Sequence, residues 1–176
     1  VRRDGNVTRT SESDIGVRFI NTFFSDIYLR GARDFGIGAQ FNGVSPGEGC
    51  YYNTVRLGYF YGNMIGLDLK GGDGLTLGWV NESLWLGGEF LGPSDLAGSY
   101  DRWGVRIWTS HGNALYNDQN VFKKPSFEMN GYSGNTSVPF LILHSHGTTV
   151  ENARQEGTQS TIFARIENNS RNTDIH

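Results

Sequence analysis

The stretch Asn53-Thr54-Val55-Arg56-Leu57-Gly58-Tyr59-Phe60-Tyr61-Gly62, followed at once by Asn63-Met64-Ile65-Gly66-Leu67-Asp68-Leu69, holds short apolar runs punctuated by Asn and Gly. Such runs, rich in aromatic and β-branched residues and bounded by turn formers, read as strands. The pattern recurs. Asn21-Thr22-Phe23 leads to Ile27-Tyr28-Leu29-Arg30-Gly31, and Asn81-Glu82-Ser83 leads to Leu84-Trp85-Leu86-Gly87. Asn120-Val121-Phe122 leads to Phe127-Glu128-Met129-Asn130-Gly131, with a weaker copy at Asn152-Ala153-Arg154-Gln155-Glu156-Gly157. Starting at 21, 53, 81, 120 and 152, the copies lie 32, 28, 39 and 32 residues apart.

A second motif alternates with the first: Gly, apolar, any, apolar. It appears as Gly16-Val17-Arg18-Phe19, Gly36-Ile37-Gly38-Ala39, Gly66-Leu67-Asp68-Leu69 and Gly104-Val105-Arg106-Ile107. Residues 138–143 and 161–166 fit the same slot without the glycine. One cassette, used about five times, predicts a coil. A single turn cannot bury its own apolar side chains, whereas stacked turns bury them against one another. Asn suits one corner because it tolerates left-handed backbone and bonds locally. Gly supplies positive φ at the opposite corner. The competing expectation is an antiparallel β-sandwich, because residues 67–77 also read as a hairpin about Gly71-Gly72-Asp73-Gly74.

Composition excludes other classes. The chain has 176 residues, 25 glycines, four prolines, one cysteine and a formal net charge of −3. That is one domain's length, with a sizeable core. Charged residues are 19% and aromatics 13%, unlike a disordered tail. There is no basic block for a nucleic acid partner and no apolar run long enough for membrane insertion. Cys50 alone rules out an internal disulfide framework and a zinc site built from several cysteines, and reads as a core residue. A start at Val1 suggests a processed product or a fragment. The expected organisation is an N-terminal extension or cap over 1–15, rungs over 16–169 and a C-terminal end over 170–176.

The rungs resemble the right-handed parallel β-helix of bacteriophage tailspikes and related polysaccharide-processing proteins. The resemblance rests on Cys50-Tyr51-Tyr52-Asn53-Thr54-Val55 with residues 62–69, and on residues 152–157 with residues 161–169. It covers about 16–169 and implies an all-β, right-handed parallel β-solenoid of about five rungs. It also implies a homotrimer at the virion surface or outside the cell, with bacterial surface polysaccharide as ligand and glycosidase or lyase chemistry as an option. Two other classes stand beside it: a non-catalytic structural spike or fibre segment of a virion, and a bacterial adhesin lectin with a β-sandwich.

Strand alternation nominates site residues. With Ile27, Leu29, Leu84, Leu86, Leu57, Tyr59, Tyr61, Phe127 and Met129 inward, the outward column is Tyr28, Phe60, Trp85 and Glu128. Exposed aromatics suit stacking on sugar faces. A second outward column, Arg18, Gly38, Asp68 and Arg106, offers arginines for an acidic sugar or an ion-pair ladder. Two carboxylates are needed for most glycoside hydrolysis, and neighbouring rungs bring carboxylates to suitable distances. Glu128 and Glu156 are the first pair, with Asp68 and Glu89 as further candidates. No cofactor is implied. His144-Ser145-His146 would present both imidazoles on one side of a strand, but no third ligand is near in sequence, so no metal site is assigned. Four glycosylation sequons begin at Asn6, Asn81, Asn135 and Asn168. No phosphate-binding loop or nucleophile elbow is present.

Overall fold

A computed structural model describes residues 11–44, 48–72, 77–92, 101–110, 117–129, 137–156, 162–167 and 170–176. Among these residues every regular element is a strand. In chain order they are β1 (Ile15–Ile20), β2 (Asp26–Arg33), β3 (Ile37–Gly43), β4 (Gly49–Tyr51), β5 (Thr54–Tyr61) and β6 (Ile65–Gly71). Then come β7 (Trp79–Asn81), β8 (Leu84–Leu91), β9 (Arg102–Thr109), β10 (Asn117–Asp118), β11 (Val121–Lys123) and β12 (Ser126–Glu128). The last are β13 (Ser137–Leu143), β14 (Ser145–His146), β15 (Thr149–Glu151), β16 (Arg154–Glu156), β17 (Ala164–Glu167) and β18 (Asp174–Ile175).

The fold is all-β with parallel sheets. The first sheet runs β1-β3-β6-β9-β13-β17. The second joins β2, β5 and β8, then continues through β11 and β15 to β18 on one path and through β12 to β16 on the other. The short pairs β4-β7 and β10-β14 occupy a third position. Between visits to the first sheet the chain passes the third position and then the second sheet. Parallel neighbours need a crossover connection, and here the other two sheets supply it.

Each ladder among the described residues is parallel. Among the described residues the antiparallel sandwich therefore does not form. Leu67 and Leu69, the first arm of the anticipated hairpin, lie in β6, which is flanked by parallel β3 and β9. Residues 73–76 of that hairpin lie outside the described residues, as do the sequon residues Asn6, Asn135 and Asn168.

One apolar cluster draws on all three sheet positions: Phe41, Leu67 and Val105 from the first sheet, Cys50 and Val80 from the third, Trp85 and Phe90 from the second. It is ordered into columns. Ile27, Val55, Trp85, Phe122 and Val150 align across successive strands. So do Ala32, Phe60, Phe90 and Phe127. Phe60, Phe90 and Phe127 stack with centroids 5.2 Å apart at each step. Burying each ring contributes about 1.5–3 kcal/mol, and each ring pair about 0.5–1.5 kcal/mol more.

These columns correct the outward assignment of Phe60 and Trp85, which are buried at 1% and 0% exposure. In β8 the inward residue is Trp85, aligned with Val55 and Phe122, so Leu84 and Leu86 take the other parity. In β5 the inward positions are Val55 and Leu57, then Phe60. The odd step shows that the strand bends once and its parity resets, as at a bulge. Gly31 (φ 138°), Gly87 (φ 71°) and Gly88 (φ 97°) carry the bend in β2 and β8. In later passages the strand breaks into β11/β12 and β15/β16, with Lys124 and Asn152 at positive φ.

The corner entering the second sheet repeats one left-handed residue per passage: Phe24, Tyr52, Glu82, Gln119, Gly147 and Asn172. The next residue is small or polar. Asn53 is almost fully buried there, accepting from Ser25 N and donating to Thr22 O. Asn120 donates to Val80 O and accepts from the Trp85 indole N–H. The corner asparagines Asn53 and Asn120 thus tie neighbouring passages together, while the residue before them takes the left-handed backbone. Asn21 and Asn152 are left-handed themselves.

The motif glycines Gly66 and Gly104 serve close approach. A Cβ on Gly66 would lie 2.5 Å from the Phe90 ring, and one on Gly104 2.6 Å from the Phe127 ring.

Candidate functional site

The bend in the second sheet opens a groove on its outer face. It has a volume of about 480 Å³ and is lined by Tyr28, Arg30, Leu57, Gly58, Tyr59, Gly88 and Glu89. Its floor needs glycine, because a Cβ on Gly58 would lie 2.3 Å from the Arg30 carbonyl oxygen. Tyr28 is 67% exposed and Tyr59 45%. The Tyr59 and Tyr61 rings lie nearly parallel, with centroids 6.0 Å apart, and the Arg33 guanidinium covers Tyr61 at 4.6 Å. Desolvation, then Glu89 and Tyr61, push the Tyr59 phenol above its usual pKa. Like any phenol at neutral pH, its hydroxyl can donate a hydrogen bond.

Most charges around the groove are already paired. Arg56 bonds Asp26, Arg33 bonds Asp34 at 3.1 Å, and Lys123 lies 3.2 Å from Glu151. Within the groove, Arg30 and Glu89 make no ion pair among the described residues. They sit on β2 and β8, the two strands flanking β5. Aromatic rings, one free cation and one free carboxylate thus face solvent together.

Of the residues nominated from sequence, Tyr28 faces outward and Glu89 joins it in the groove. Glu128 and Glu156 align directly across β12 and β16. Neighbouring strands are about 4.8 Å apart, so these carboxylates can approach the spacing of a glycosidase pair. Arg154 bonds Glu156 at 2.8 Å, however, and neither carboxylate lines the groove. Arg18 is exposed on β1, in the first sheet.

The second anticipated column is corrected in register and in burial. Arg18 aligns with Gln40, not Gly38, and the column continues through Asp68 and Arg106. Asp68 is wholly buried and Arg106 is 7% exposed. Asp68 accepts from Gln40 Nε2 at 2.7 Å, Arg106 Nε at 2.7 Å and the Trp108 indole at 2.8 Å. Glu12, ahead of β1, clamps Arg106 with both oxygens at 2.8 and 2.9 Å. This arrangement is a buried network that straps the N-terminal segment to the first sheet. It leaves Asp68 no access to a sugar and Arg106 no free face.

Cys50 is fully buried, and burial pushes its thiol pKa up. His144 occupies a left-handed corner (φ 56°) between β13 and β14, so the shared strand face expected for His144 and His146 does not exist. Among the described residues no three His, Cys, Asp or Glu side chains gather as for a metal. Also among them, no helix is long and apolar enough to cross a membrane, which says nothing of a β-barrel.

A second exposed aromatic group sits at the corner before β2 and β5. Phe23 stacks on Tyr51 at 5.3 Å and Phe24 on Tyr52 at 5.2 Å. Phe24 is 72% exposed.

The sequence reading missed Arg30, Tyr59 and the two glycines of the groove. The available signal was Gly58 and Gly88 inside otherwise good strands, since an interior glycine marks a bulge or close backbone approach. No family model matches the chain, and no curated protein or solved structure matches it.

Proposed function

We propose that the chain is a right-handed parallel β-solenoid of about five rungs, a tailspike-like segment that binds bacterial surface polysaccharide at the outer groove of the second sheet. The groove carries this reading: Tyr28 and Tyr59 are exposed aromatic rings over a bare glycine floor. Apolar C–H faces of sugars stack on such rings, and Arg30 and Glu89 offer hydrogen bonds at its sides. The cyclic passage through three parallel positions supports the solenoid. The reading includes an extracellular or virion-surface setting and a homotrimer, for which the exposed ledge of Phe23, Phe24 and Tyr52 offers apolar contact surface.

Binding without cleavage is favoured over hydrolysis, because the aligned carboxylates Glu128 and Glu156 lie outside the groove lining and Glu156 is held by Arg154. The test is retention on a panel of immobilised capsular and O-antigen polysaccharides, with reducing-end release assayed in parallel. Retention of the wild type, lost in Tyr28→Ala/Tyr59→Ala and kept in Phe24→Ala, is the expected result. Equal retention of all three overturns the groove. Reducing ends released by the wild type and not by Glu128→Gln would replace binding with hydrolysis.

A further inference from the structure

We infer that the groove selects an anionic saccharide, with a sugar carboxylate seated on Arg30; the inference rests on the saccharide-binding reading of the same groove. On the strands of the second sheet the other arginines and lysines are engaged, Arg154 of β16 with Glu156 at 2.8 Å. Arg56 is bonded to Asp26, Arg33 to Asp34 while capping Tyr61, and Lys123 to Glu151. Arg30 alone lines the groove, and it has no ion-pair partner among the described residues.

Its position gives the charge direction. Tyr28 lies two residues earlier on the same outward face of β2, and Gly58 lies beside Arg30 on β5. With no side chain at Gly58, the guanidinium can reach across bare backbone toward a ring lying on Tyr28 or Tyr59. A guanidinium binds a carboxylate through two parallel N–H donors, a geometry that a neutral hydroxyl does not fill. On the far side, Glu89 accepts only, so it takes hydroxyl donors and repels an anion. The saccharide is therefore oriented: its carboxylate edge toward β2, its hydroxyl edge toward β8. Tyr59, on β5 between them, donates its hydroxyl to a ring or glycosidic oxygen.

The experiment measures binding of the full chain to three sets of probes. The anionic set is polygalacturonate, alginate and polysialate. The neutral set is pullulan and dextran, and the cationic set is chitosan oligosaccharides. The expected result is binding to at least one anionic probe, weakened at high salt. Arg30→Ala then weakens it by about tenfold or more, the scale of a charge-assisted hydrogen bond. Arg30→Lys retains part of the affinity. If neutral probes bind as well as anionic ones, with Tyr28→Ala/Tyr59→Ala abolishing binding and Arg30→Ala not, the anionic assignment is overturned and the groove reading survives. Preference for chitosan, lost in Glu89→Gln, overturns it in the opposite sense. If no probe in any set binds, or if binding is untouched in Tyr28→Ala/Tyr59→Ala, the inference and the groove reading fall together.

Discussion

Replacing Trp85 with Phe tests the inward parity of the second sheet. Trp85 is fully buried, stacks on Phe122 with centroids 5.8 Å apart and meets Phe41 edge-on at 4.9 Å. Its indole N–H donates to Asn120 Oδ1 at 3.1 Å, and Asn120 is itself fully buried. Phenylalanine cannot donate, so the Asn120 oxygen loses that donor, at a cost of about 1–3 kcal/mol. Lost ring contact adds about 1 kcal/mol. Trp85→Phe should therefore destabilise by about 2–4 kcal/mol and Trp85→Ala by about 3–5 kcal/mol. At this chain length each kcal/mol moves Tm by about 2–4 °C, so the drop is on the order of 10 °C. The assay is equilibrium urea unfolding followed by far-ultraviolet circular dichroism, with acrylamide quenching of tryptophan emission alongside. Tyr28→Ala, on the exposed face, should stay within about 0.5 kcal/mol of wild type. A Trp85→Phe protein as stable as wild type, missing only a readily quenched emission component, would refute the inward column and restore Trp85 as a surface residue.

The Glu12–Arg106 strap should respond to acid. The hydrogen bond from Arg106 holds the Glu12 carboxyl below its ordinary 4.5, against the opposing effect of partial burial. Its contribution is complete above that ordinary value and disappears as pH falls through the lowered one. Because Glu12 is half-exposed, the effect is under about 1 kcal/mol; urea midpoints of wild type and Glu12→Gln should be separate at pH 7 and converge as pH falls through that lowered value. Gly104→Ala should cost about 1–3 kcal/mol in thermal unfolding, since its Cβ would meet the Phe127 ring at 2.6 Å and the Pro139 carbonyl oxygen at 2.8 Å. Gln119→Gly should raise stability by about 0.5–1 kcal/mol in the same measurement, because Gln119 is an exposed residue with φ 52°. Cys50, buried with its thiol pKa raised, should react with a disulfide reagent in urea and stay silent in native buffer.

The recurrent Asn and Gly punctuation made the all-β class readable, and the repeat made parallel stacking the leading expectation. Ile27 and Leu29 inward with Tyr28 outward was legible because β2 alternates cleanly up to Gly31. The same rule failed at Phe60, because alternation carried across Gly58 misses the bend and reverses each side chain beyond it. At Trp85 it failed for a different reason. Leu84, Trp85 and Leu86 are all apolar, so periodicity cannot choose the buried face, and only alignment with Val55 and Phe122 does so.

Asp68 and Arg106 show the limit from the electrostatic side. In sequence each looks like an outward charge between inward apolar neighbours, and each does point away from the core. Asp68 is enclosed by Gln40, Arg106 and Trp108 from neighbouring strands, and Arg106 is clamped by Glu12, 94 residues away in the chain. Local pattern determined which residues pair with which kind of face. Register, the bend at the glycines and the strap over the first sheet arise between distant residues, so only the tertiary structure decided which aromatics line a groove, which fill the core and which charges remain free.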